Sequence, residues 1–335
     1  MKRLIFILSV ILFSTFVSAQ ITGTGYYRIR NVGSKNYVYV TDNTQTDAEM
    51  GALQLYPGLD KAITNPASVI YFKSVKNEGS VLTCNFEAQG VDVYGLIGYL
   101  VHVYPVDGGH YQVYAQASGL VKYLWDDKTN ATIPSYLGYY HNMTTSGDGK
   151  AQVLRHWDVI PISNETENYV AIKPTMTIAG KHYAPYYAAY PFTLSQGMKA
   201  YIVTKIDSRS KVAVYKELPA DKVIPASTPV IIECTSTDVS QNKITLKVPG
   251  SYAKPTVNLL RGVYFCNDFR EGKSKAAHTL YDSKTMRVFG TTKEGKMGFV
   301  NDTKLLHVND YVTAGWDDDN TYKGLYYLNA NQAYL

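Results

Sequence analysis

The stretches that decide the fold read Tyr26-Tyr27-Arg28-Ile29-Arg30-Asn31 and, after a turn at Asn31-Val32-Gly33-Ser34, Tyr37-Val38-Tyr39-Val40. Residues with a strong strand preference alternate here at short range, and turn-forming residues separate the two runs, which is typical of paired β-strands. Similar runs recur at 212–215 and 244–248, and helical periodicity is nearly absent. Working outward from residue 26, the chain is therefore predicted to be all-β, as a barrel or a sandwich.

The first part of the chain contains a faint internal repeat. One unit opens at 26–31 and closes at 69–75, and another opens at 111–115 and closes at 156–162. A shorter unit, 81–105, lies between them. Each unit supplies about four short strands, and three such units close into a barrel with a capping layer of hairpins, because one unit alone cannot bury its apolar face.

The strand Gly51-Ala52-Leu53-Gln54-Leu55-Tyr56 resembles the Gly-x-x-Val-Gln-Leu-Trp strand of ricin-type β-trefoil lectins. Residues 26–31 followed by 37–40 resemble the opening of such a trefoil, although the Gln-x-Trp signature and the disulfides of that family are not present. The resemblance implies a β-trefoil-like barrel at residues 20–163 that binds a carbohydrate.

The second part of the chain has a different pattern. The order of the runs 192–203, 223–232, 286–300 and 328–335 resembles an all-β module that closes many secreted and surface proteins of Gram-negative gut bacteria. In those proteins the module follows binding or repeat domains, and no chemistry is attributed to it. The expected fold class is thus all-β, with an N-terminal β-trefoil-like barrel and a C-terminal β-sandwich-like domain at 166–335.

The first 19 residues have the composition of a signal peptide. Lys2 and Arg3 precede an apolar run at 4–17, and Val17-Ser18-Ala19 supplies the small residues that a signal peptidase reads. The apolar run is shorter than the roughly 20 residues that a transmembrane helix needs. We expect export without a transmembrane span, to the periplasm, the cell surface or the medium.

Charge and cysteine content limit the possible partners. The formal net charge of +5 is weak and scattered, which disfavours nucleic acid as a partner. An odd number of cysteines, Cys84, Cys234 and Cys266, excludes a fully paired intramolecular framework. Two interpretations stay open: three buried thiols, or a bridge between Cys234 and Cys266.

Motifs for catalysis are absent from the sequence. It has no His-Glu-x-x-His pair, no Gly-x-Ser-x-Gly elbow and no glycine-rich phosphate loop before a helix, so we expect no cofactor and no metal site. Nothing near Cys84 and His102 suggests a nucleophile and its base. Glu87 and Glu233 are expected to be solvent-facing strand residues, which leaves a glycoside hydrolase as a minor alternative to a non-enzyme.

The candidate ligand site combines aromatic and carboxylate side chains. Sugar recognition pairs an aromatic face, which stacks on C–H groups, with carboxylates that accept hydroxyl hydrogen bonds. Trp125-Asp126-Asp127 in the third unit and Asp42-Asn43 at the matching place in the first unit fit this pattern, as do Gln54 and Tyr56 of the lectin-like strand. The alternative is that the Asp and Asn residues form turns and that Trp125 packs in the core.

The sequence therefore favours a secreted, non-catalytic protein that binds a glycan or glycoprotein through its N-terminal domain. The alternative is a protein-binding surface component, such as an adhesin, an inhibitor or a structural module, with no sugar ligand. The tyrosine-rich segment 182–190 suits such a contact face, and it equally suits core packing at the domain junction.

Overall fold

The computed structural model describes residues 21–40, 53–92, 101–117, 120–127, 136–141, 154–266, 279–308 and 324–335. Strands dominate these residues, which confirms the all-β prediction. One short α-helix, α1 (Leu59–Ile63), and 3-10 turns at Pro66–Ser68, Asp107–Gly109, Val239–Gln241 and Thr303–Leu305 complete the described helical structure. None of the described helices has the length and apolar character needed to cross a membrane. The predicted signal peptide lies outside the described residues.

The first half of the chain forms one sheet. Its strands are β1 (Gly25–Asn31), β2 (Asn36–Val40), β3 (Leu53–Pro57), β4 (Ile70–Glu78), β5 (Val81–Ala88), β6 (Val91–Asp92), β7 (Val101–Val106), β8 (His110–Ala117), β9 (Leu120–Asp127), β10 (Tyr136–His141) and β11 (Trp157–Pro161).

Six of these strands pair in a closed ring, in the order β1, β4, β5, β7, β8, β11 and back to β1. Strands β2 and β3 form a hairpin beside β1, while β9 and β10 form another beside β8, and the two hairpins join through β3 and β10. Closure leaves no open edge in the ring itself.

The interior of the ring is the core of this half. Each ring strand contributes at least two alternate residues, as the two-residue period of a strand requires. These buried residues are Tyr27 and Ile29, Ile70 and Phe72, Cys84 and Phe86, Val101 and Val103, Tyr111 and Val113, and Trp157 and Val159. The indole nitrogen of Trp157 donates to the carbonyl oxygen of Leu124 at 3.0 Å, which attaches the hairpin layer to the ring.

The described residues of the second half form four smaller sheets. Its strands are β12 (Val170–Ala171), β13 (Met176–Ile178), β14 (Lys181–Tyr186), β15 (Phe192–Leu194), β16 (Lys199–Asp207), β17 (Val212–Glu217), β18 (Val230–Cys234), β19 (Lys243–Leu246), β20 (Arg261–Val263), β21 (Val288–Thr291), β22 (Met297–Val300), β23 (His307–Val308), β24 (Tyr326–Tyr327) and β25 (Gln332–Tyr334).

A five-stranded sheet, in the order β13-β14-β18-β16-β17, is the centre of this half. One face packs on the sheet of β12, β19 and β15, and the other packs on the sheet of β20, β25, β21 and β22. Strand β18 is apolar at three consecutive positions because both of its faces are buried. Val230 and Ile232 point into the first core, and Ile231 points into the second.

The two halves are joined by a buried arginine that the strand pattern places on the outer side of β1. Arg28 is fully buried, with Nε donating to Ser68 Oγ at 3.0 Å and Nη1 donating to Asn168 Oδ1 at 2.6 Å. Its Nη2 has no hydrogen-bond partner among the described residues. Burial lowers the pKa of the guanidinium to about 10, because the charged form loses its hydration.

A reciprocal pair of side-chain amides forms a second junction. Gln89 Nε2 donates to Asn331 Oδ1 at 2.9 Å, and Asn331 Nδ2 donates back to Gln89 Oε1 at 3.0 Å. The remaining amide hydrogens bind the carbonyl oxygens of Tyr264 and Tyr187. Both amides are buried, so this junction satisfies its polar groups internally.

Candidate functional site

The sequence-predicted ligand residues fall in three different situations. Asp42 and Asn43 lie outside the described residues. Asp126 was expected to face a ligand, but its side chain is fully buried. The reason is strand alternation, which places position 126 on the same side as the core residue Leu124. A ligand role for Asp126 would need this carboxylate to become exposed, so the proposal below does not use it.

The strand register brings part of the remaining set together. Trp125 and Asp127 belong to β9, and Gln54 and Tyr56 belong to β3. Tyr136 of β10 is the pairing partner of both Asp127 and Gln54, which places these two positions in one row across three strands. A ligand site at this row, with Trp125 and Tyr56 beside it, stays a prediction.

A second row, on the outside of the ring, combines aromatic and acidic positions. Tyr26 of β1 pairs with Tyr71 of β4, and Tyr71 pairs with Glu87 of β5. The register continues to Asp92 of β6. The rings of Tyr26 and Tyr71 are tilted against each other with centroids 4.9 Å apart, so the two rings pack on each other in the row that also contains Glu87.

This row forms one wall of a cavity between the two halves of the chain. The cavity has a volume of about 140 Å³, and its opposite wall includes Tyr190, Pro191 and Gly250. Pockets for drug-sized ligands usually measure roughly 300–1,000 Å³. The junction cavity, as we call this space, therefore has room for one ring-sized group, with the rest of a longer ligand remaining in solvent.

Along the row of Tyr26, Tyr71 and Glu87, the junction cavity is lined by two tyrosine hydroxyls that are neutral and by one carboxylate. Burial, together with Tyr71, Tyr190 and Glu87 nearby, raises the pKa of Tyr26 far above its ordinary value. Burial and then the Glu87 charge also raise the pKa of Tyr71. Both tyrosines keep their hydroxyl protons at neutral pH, and the Glu87 carboxylate lies 3.3 Å from Lys73 Nζ in a half-exposed ion pair.

Such a wall can hold a sugar ring by two kinds of contact. The Tyr71 ring offers a flat apolar face for C–H groups, and its hydroxyl donates and accepts hydrogen bonds, while the Tyr26 hydroxyl oxygen can accept one. A carboxylate accepts hydrogen bonds from vicinal hydroxyls more strongly than a neutral oxygen does. The hydroxyl of Tyr26 already donates to the carbonyl oxygen of Lys247 at 3.0 Å, which fixes the orientation of its ring.

Sequence reasoning did not single out this row as a site. Its members lie in three strands, and only the register of β1, β4 and β5 brings them side by side. A signal was present in the first repeat unit, whose opening and closing segments carry Tyr26 and Tyr71. The pairing of the opening and closing strands of one unit would have placed these tyrosines together.

A separate cluster of charged groups has a structural function. Asp158 Oδ1 lies 2.7 Å from His110 Nδ1, while Oδ2 accepts from Arg30 Nη2 at 2.7 Å and from Nε at 3.0 Å. Burial alone would lower the pKa of Arg30, but the bonds to Asp158 outweigh it and raise the pKa. These three residues belong to β11, β8 and β1, so the cluster joins three neighbouring ring strands.

Cys84 is not arranged as a nucleophile. Its thiol is fully buried in the ring core, and burial raises its pKa to about 12. His102 pairs with Thr83, the residue before Cys84, and it therefore points to the opposite face of the sheet. The ring of His102 stacks instead on Tyr114 with centroids 4.8 Å apart.

Two alternatives from the sequence are decided by the structure. Cys234 and Cys266 are separate thiols, not a disulfide; Cys234 is buried as expected, but Cys266 is partly exposed. In the tyrosine-rich segment, Tyr183, Tyr186 and Tyr190 are buried, and the last two share a hydroxyl hydrogen bond of 2.7 Å. Core packing, not an exposed contact face, is the main function of this segment.

Glu233 differs from the solvent-facing residue that the sequence suggested. Its side chain is 15% exposed, and it accepts hydrogen bonds from Lys181 Nζ at 2.9 Å, Tyr201 Oη at 3.0 Å and Tyr183 Oη at 3.3 Å. The reason is that the sheet containing β21 and β22 covers this face of the central sheet. With its lone pairs engaged by three donors, the carboxylate acts as a hub between β14, β16 and β18.

Within the described ranges, no three His, Cys, Asp or Glu side chains lie close enough together to hold a metal ion. The acidic residues Asp317 and Asp318 lie outside those ranges. No family model matches this chain, and neither a curated protein nor a solved structure shows significant similarity to it.

Proposed function

We propose that this protein binds a glycan without catalysis and that the terminal sugar residue occupies the junction cavity. The observation that carries the proposal is the row of Tyr26, Tyr71 and Glu87, a pair of packed tyrosines beside a carboxylate that is 32% exposed and lines the same cavity. The small volume of the cavity favours one sugar ring at a chain end.

The proposal includes the fold of each half. A β-trefoil at 20–163 is supported by the closed ring of six strands and by the hairpins β2–β3 and β9–β10 beside it. A β-sandwich-like module at 166–335 is supported by the stacked sheets of the second half. The lectin-like strand and the signal-peptide composition support a glycan ligand met after export.

The test is a glycan-array screen followed by titration calorimetry with the best glycan. We expect Glu87→Gln to weaken binding about tenfold or more, because a charge-assisted hydrogen bond becomes a neutral one. Tyr71→Ala removes a stacking face and is expected to weaken binding to a similar degree. Tyr104→Ala is the matched control, since this exposed tyrosine of β7 is not among the cavity residues.

The sequence-predicted row at β9 and β3 provides the competing result. If Trp125→Ala abolishes binding while Glu87→Gln and Tyr71→Ala leave it unchanged, the sugar site is at β9 and the junction cavity is not the site. If no glycan binds the wild-type protein, the carbohydrate proposal fails and the protein-binding alternative takes its place.

A further inference from the structure

The second half of the chain has an apolar strand at the edge of its central sheet. Among the described strands, β17 pairs with β16 alone and ends the order β13-β14-β18-β16-β17. Its side chains are unusually exposed for their type: Val212 is 53% exposed, Val214 is 45% exposed and Tyr215 is 55% exposed. An edge with apolar side chains and unpaired backbone groups is a template for another strand.

The hydrogen bonds between β16 and β17 determine which backbone N–H and C=O groups of β17 point away from the sheet. The amide of Leu218 donates to the carbonyl oxygen of Ala200 at 2.8 Å. Alternation in an antiparallel ladder then makes Lys216 and Val214 face β16 with their N–H and C=O groups. The hydroxyl of Thr204, at the bulge in β16, donates to the carbonyl oxygen of Val214 at 3.3 Å, in agreement with this assignment.

The outward groups are consequently those of Ala213, Tyr215 and Glu217. A strand that docks on this edge must exchange its hydrogen bonds with these three residues. An antiparallel copy of β17 does so only if its own outward residues lie opposite them, so odd-numbered positions must pair with odd-numbered positions. This condition removes half of all possible registers.

We propose that two copies of the chain form a two-fold dimer through β17, in antiparallel register with Val214 opposite Val214 of the second copy. Ala213 then lies opposite Tyr215 of the second copy and exchanges backbone hydrogen bonds with it. Lys211, the turn residue with φ of 56° that directly precedes β17, comes beside Glu217 of the second copy, so each end of the paired strands brings one lysine and one glutamate close together. The five-stranded sheet becomes continuous across the dimer.

Side-chain packing fits this register. The two Val214 side chains meet in a pair without direct hydrogen bonds, where cross-strand side chains approach most closely. Val212 packs on the aliphatic stem of Lys216 from the other copy. The small side chain of Ala213 leaves room for the Tyr215 ring of the other copy, which can reach toward the exposed Ile206 beyond it.

Neighbouring allowed registers lack this complementarity. A shift of the centre to Ala213 moves Lys211 beside Tyr215 and leaves Arg209, two residues further back in the turn, as the nearest cation in register with Glu217; a shift to Tyr215 places Ala213 opposite Glu217. A centre at Lys216 would place two ammonium groups opposite each other, which destabilises a cross-strand pair. In the free chain Glu217 lies 3.3 Å from Lys199 at an exposed position, and its second oxygen can receive Lys211 of the partner.

The experiment measures the mass of residues 20–335 by sedimentation equilibrium over a concentration series. We expect twice the chain mass for the wild-type protein and a single chain mass for Val214→Lys, which places two lysines on the two-fold axis. Val248→Lys is the matched control, because Val248 is 70% exposed and lies outside this hairpin. A wild-type chain that stays monomeric up to about 1 mM overturns the proposal.

Charge reversal tests the register itself. Lys211→Glu replaces two opposite-charge pairs by two like-charge pairs, and we expect a dissociation constant about tenfold higher. Adding Glu217→Lys restores both pairs and should restore the dimer. A dimer that survives Val214→Lys, or that the double reversal leaves weakened, refutes this register. Glycan binding in the junction cavity is expected to be the same in all these variants, so failure of one proposal does not imply failure of the other.

Discussion

The reciprocal amide pair between Gln89 and Asn331 gives a sharp prediction about how the two halves of the chain hold together. Gln89→Ala removes three hydrogen bonds, two to the Asn331 amide and one to the carbonyl oxygen of Tyr264. It leaves the Asn331 side chain and this carbonyl group buried without those partners. The perturbation thus converts a satisfied polar junction into an unsatisfied one.

The magnitude follows from the number of groups left unpaired. A hydrogen bond contributes a net ~0.5–1.5 kcal/mol to folding, and a buried group without a partner costs about 1–3 kcal/mol. We expect Gln89→Ala to lower the free energy of unfolding by about 3 kcal/mol, and Asn331→Ala by a similar amount. In the double variant the shared bonds are lost only once, so we expect a coupling energy of about 2 kcal/mol.

Urea denaturation of the four proteins of this double-mutant cycle measures the coupling. Tryptophan fluorescence follows three indoles, of which Trp157 lies in the ring core, and far-ultraviolet circular dichroism follows the strands of both halves. Both positions have a left-handed backbone, with φ of 51° at Gln89 and 56° at Asn331. Alanine has a Cβ atom, as glutamine and asparagine do, so the strain of the left-handed backbone changes little on substitution. Any remaining change in strain or packing at one site occurs in both the single and the double variant and cancels in the cycle.

The reasoning would be refuted by additivity. If the two substitutions add within about 0.5 kcal/mol, the two amides do not act as a pair and the junction depends on other contacts. If fluorescence and circular dichroism give separate transitions in the wild-type protein, the halves unfold independently, and the pair should then affect only the order of the two transitions.

Three further predictions concern buried polar groups. Arg28→Lys replaces two donor nitrogens at fixed positions, Nε for Ser68 and Nη1 for Asn168, by a single ammonium group, and it should lower the free energy of unfolding by about 2 kcal/mol in urea titrations. An unchanged midpoint would contradict the assigned bonds. Burial raises the pKa of Cys84 and of Cys234 to about 12, so both thiols should resist Ellman's reagent at about pH 8 until the chain unfolds, and rapid native labelling of either would contradict their burial. Burial alone would raise the pKa of Glu233, but hydrogen bonds from donors such as Lys181 outweigh it and lower the pKa. The ionised Glu233 should therefore stabilise the folded chain above its ordinary pKa of 4.5, and this contribution should be lost as the pH falls through the lower pKa of the folded state. Glu233→Gln should therefore flatten the acid limb of a stability-against-pH curve, and an unchanged limb would count against this carboxylate.

The strands were predictable from the sequence because alternation is a local property. The runs at 26–31, 37–40 and 212–215 lie within β1, β2 and β17. In the structure the opening and closing segments of the two longer repeat units pair with each other, with Tyr27 opposite Ile70 and Trp157 opposite Tyr111. In these places sequence period and packing agree.

Contacts between the halves could not be predicted in the same way. Alternation places Arg28 on the outer side of β1, and nothing near it in the sequence shows that the second half covers this side. Gln89 and Asn331 are 242 positions apart, and no local pattern links them. The Tyr26–Tyr71–Glu87 row depends on strand register, which packing sets.

The closed ring also affects the order in which this protein acquires its structure. Strand β1 pairs with β2 and β4, which follow it in the sequence, but also with β11, which begins only at Trp157. During synthesis β1 emerges first, and its last partner emerges more than a hundred residues later. Contacts of such long sequence separation slow folding, because the loop entropy is lost before the contact forms. Until β11 has been synthesised, one side of β1 stays an open edge. A chaperone that shields nascent strands would therefore have to remain bound longest at β1.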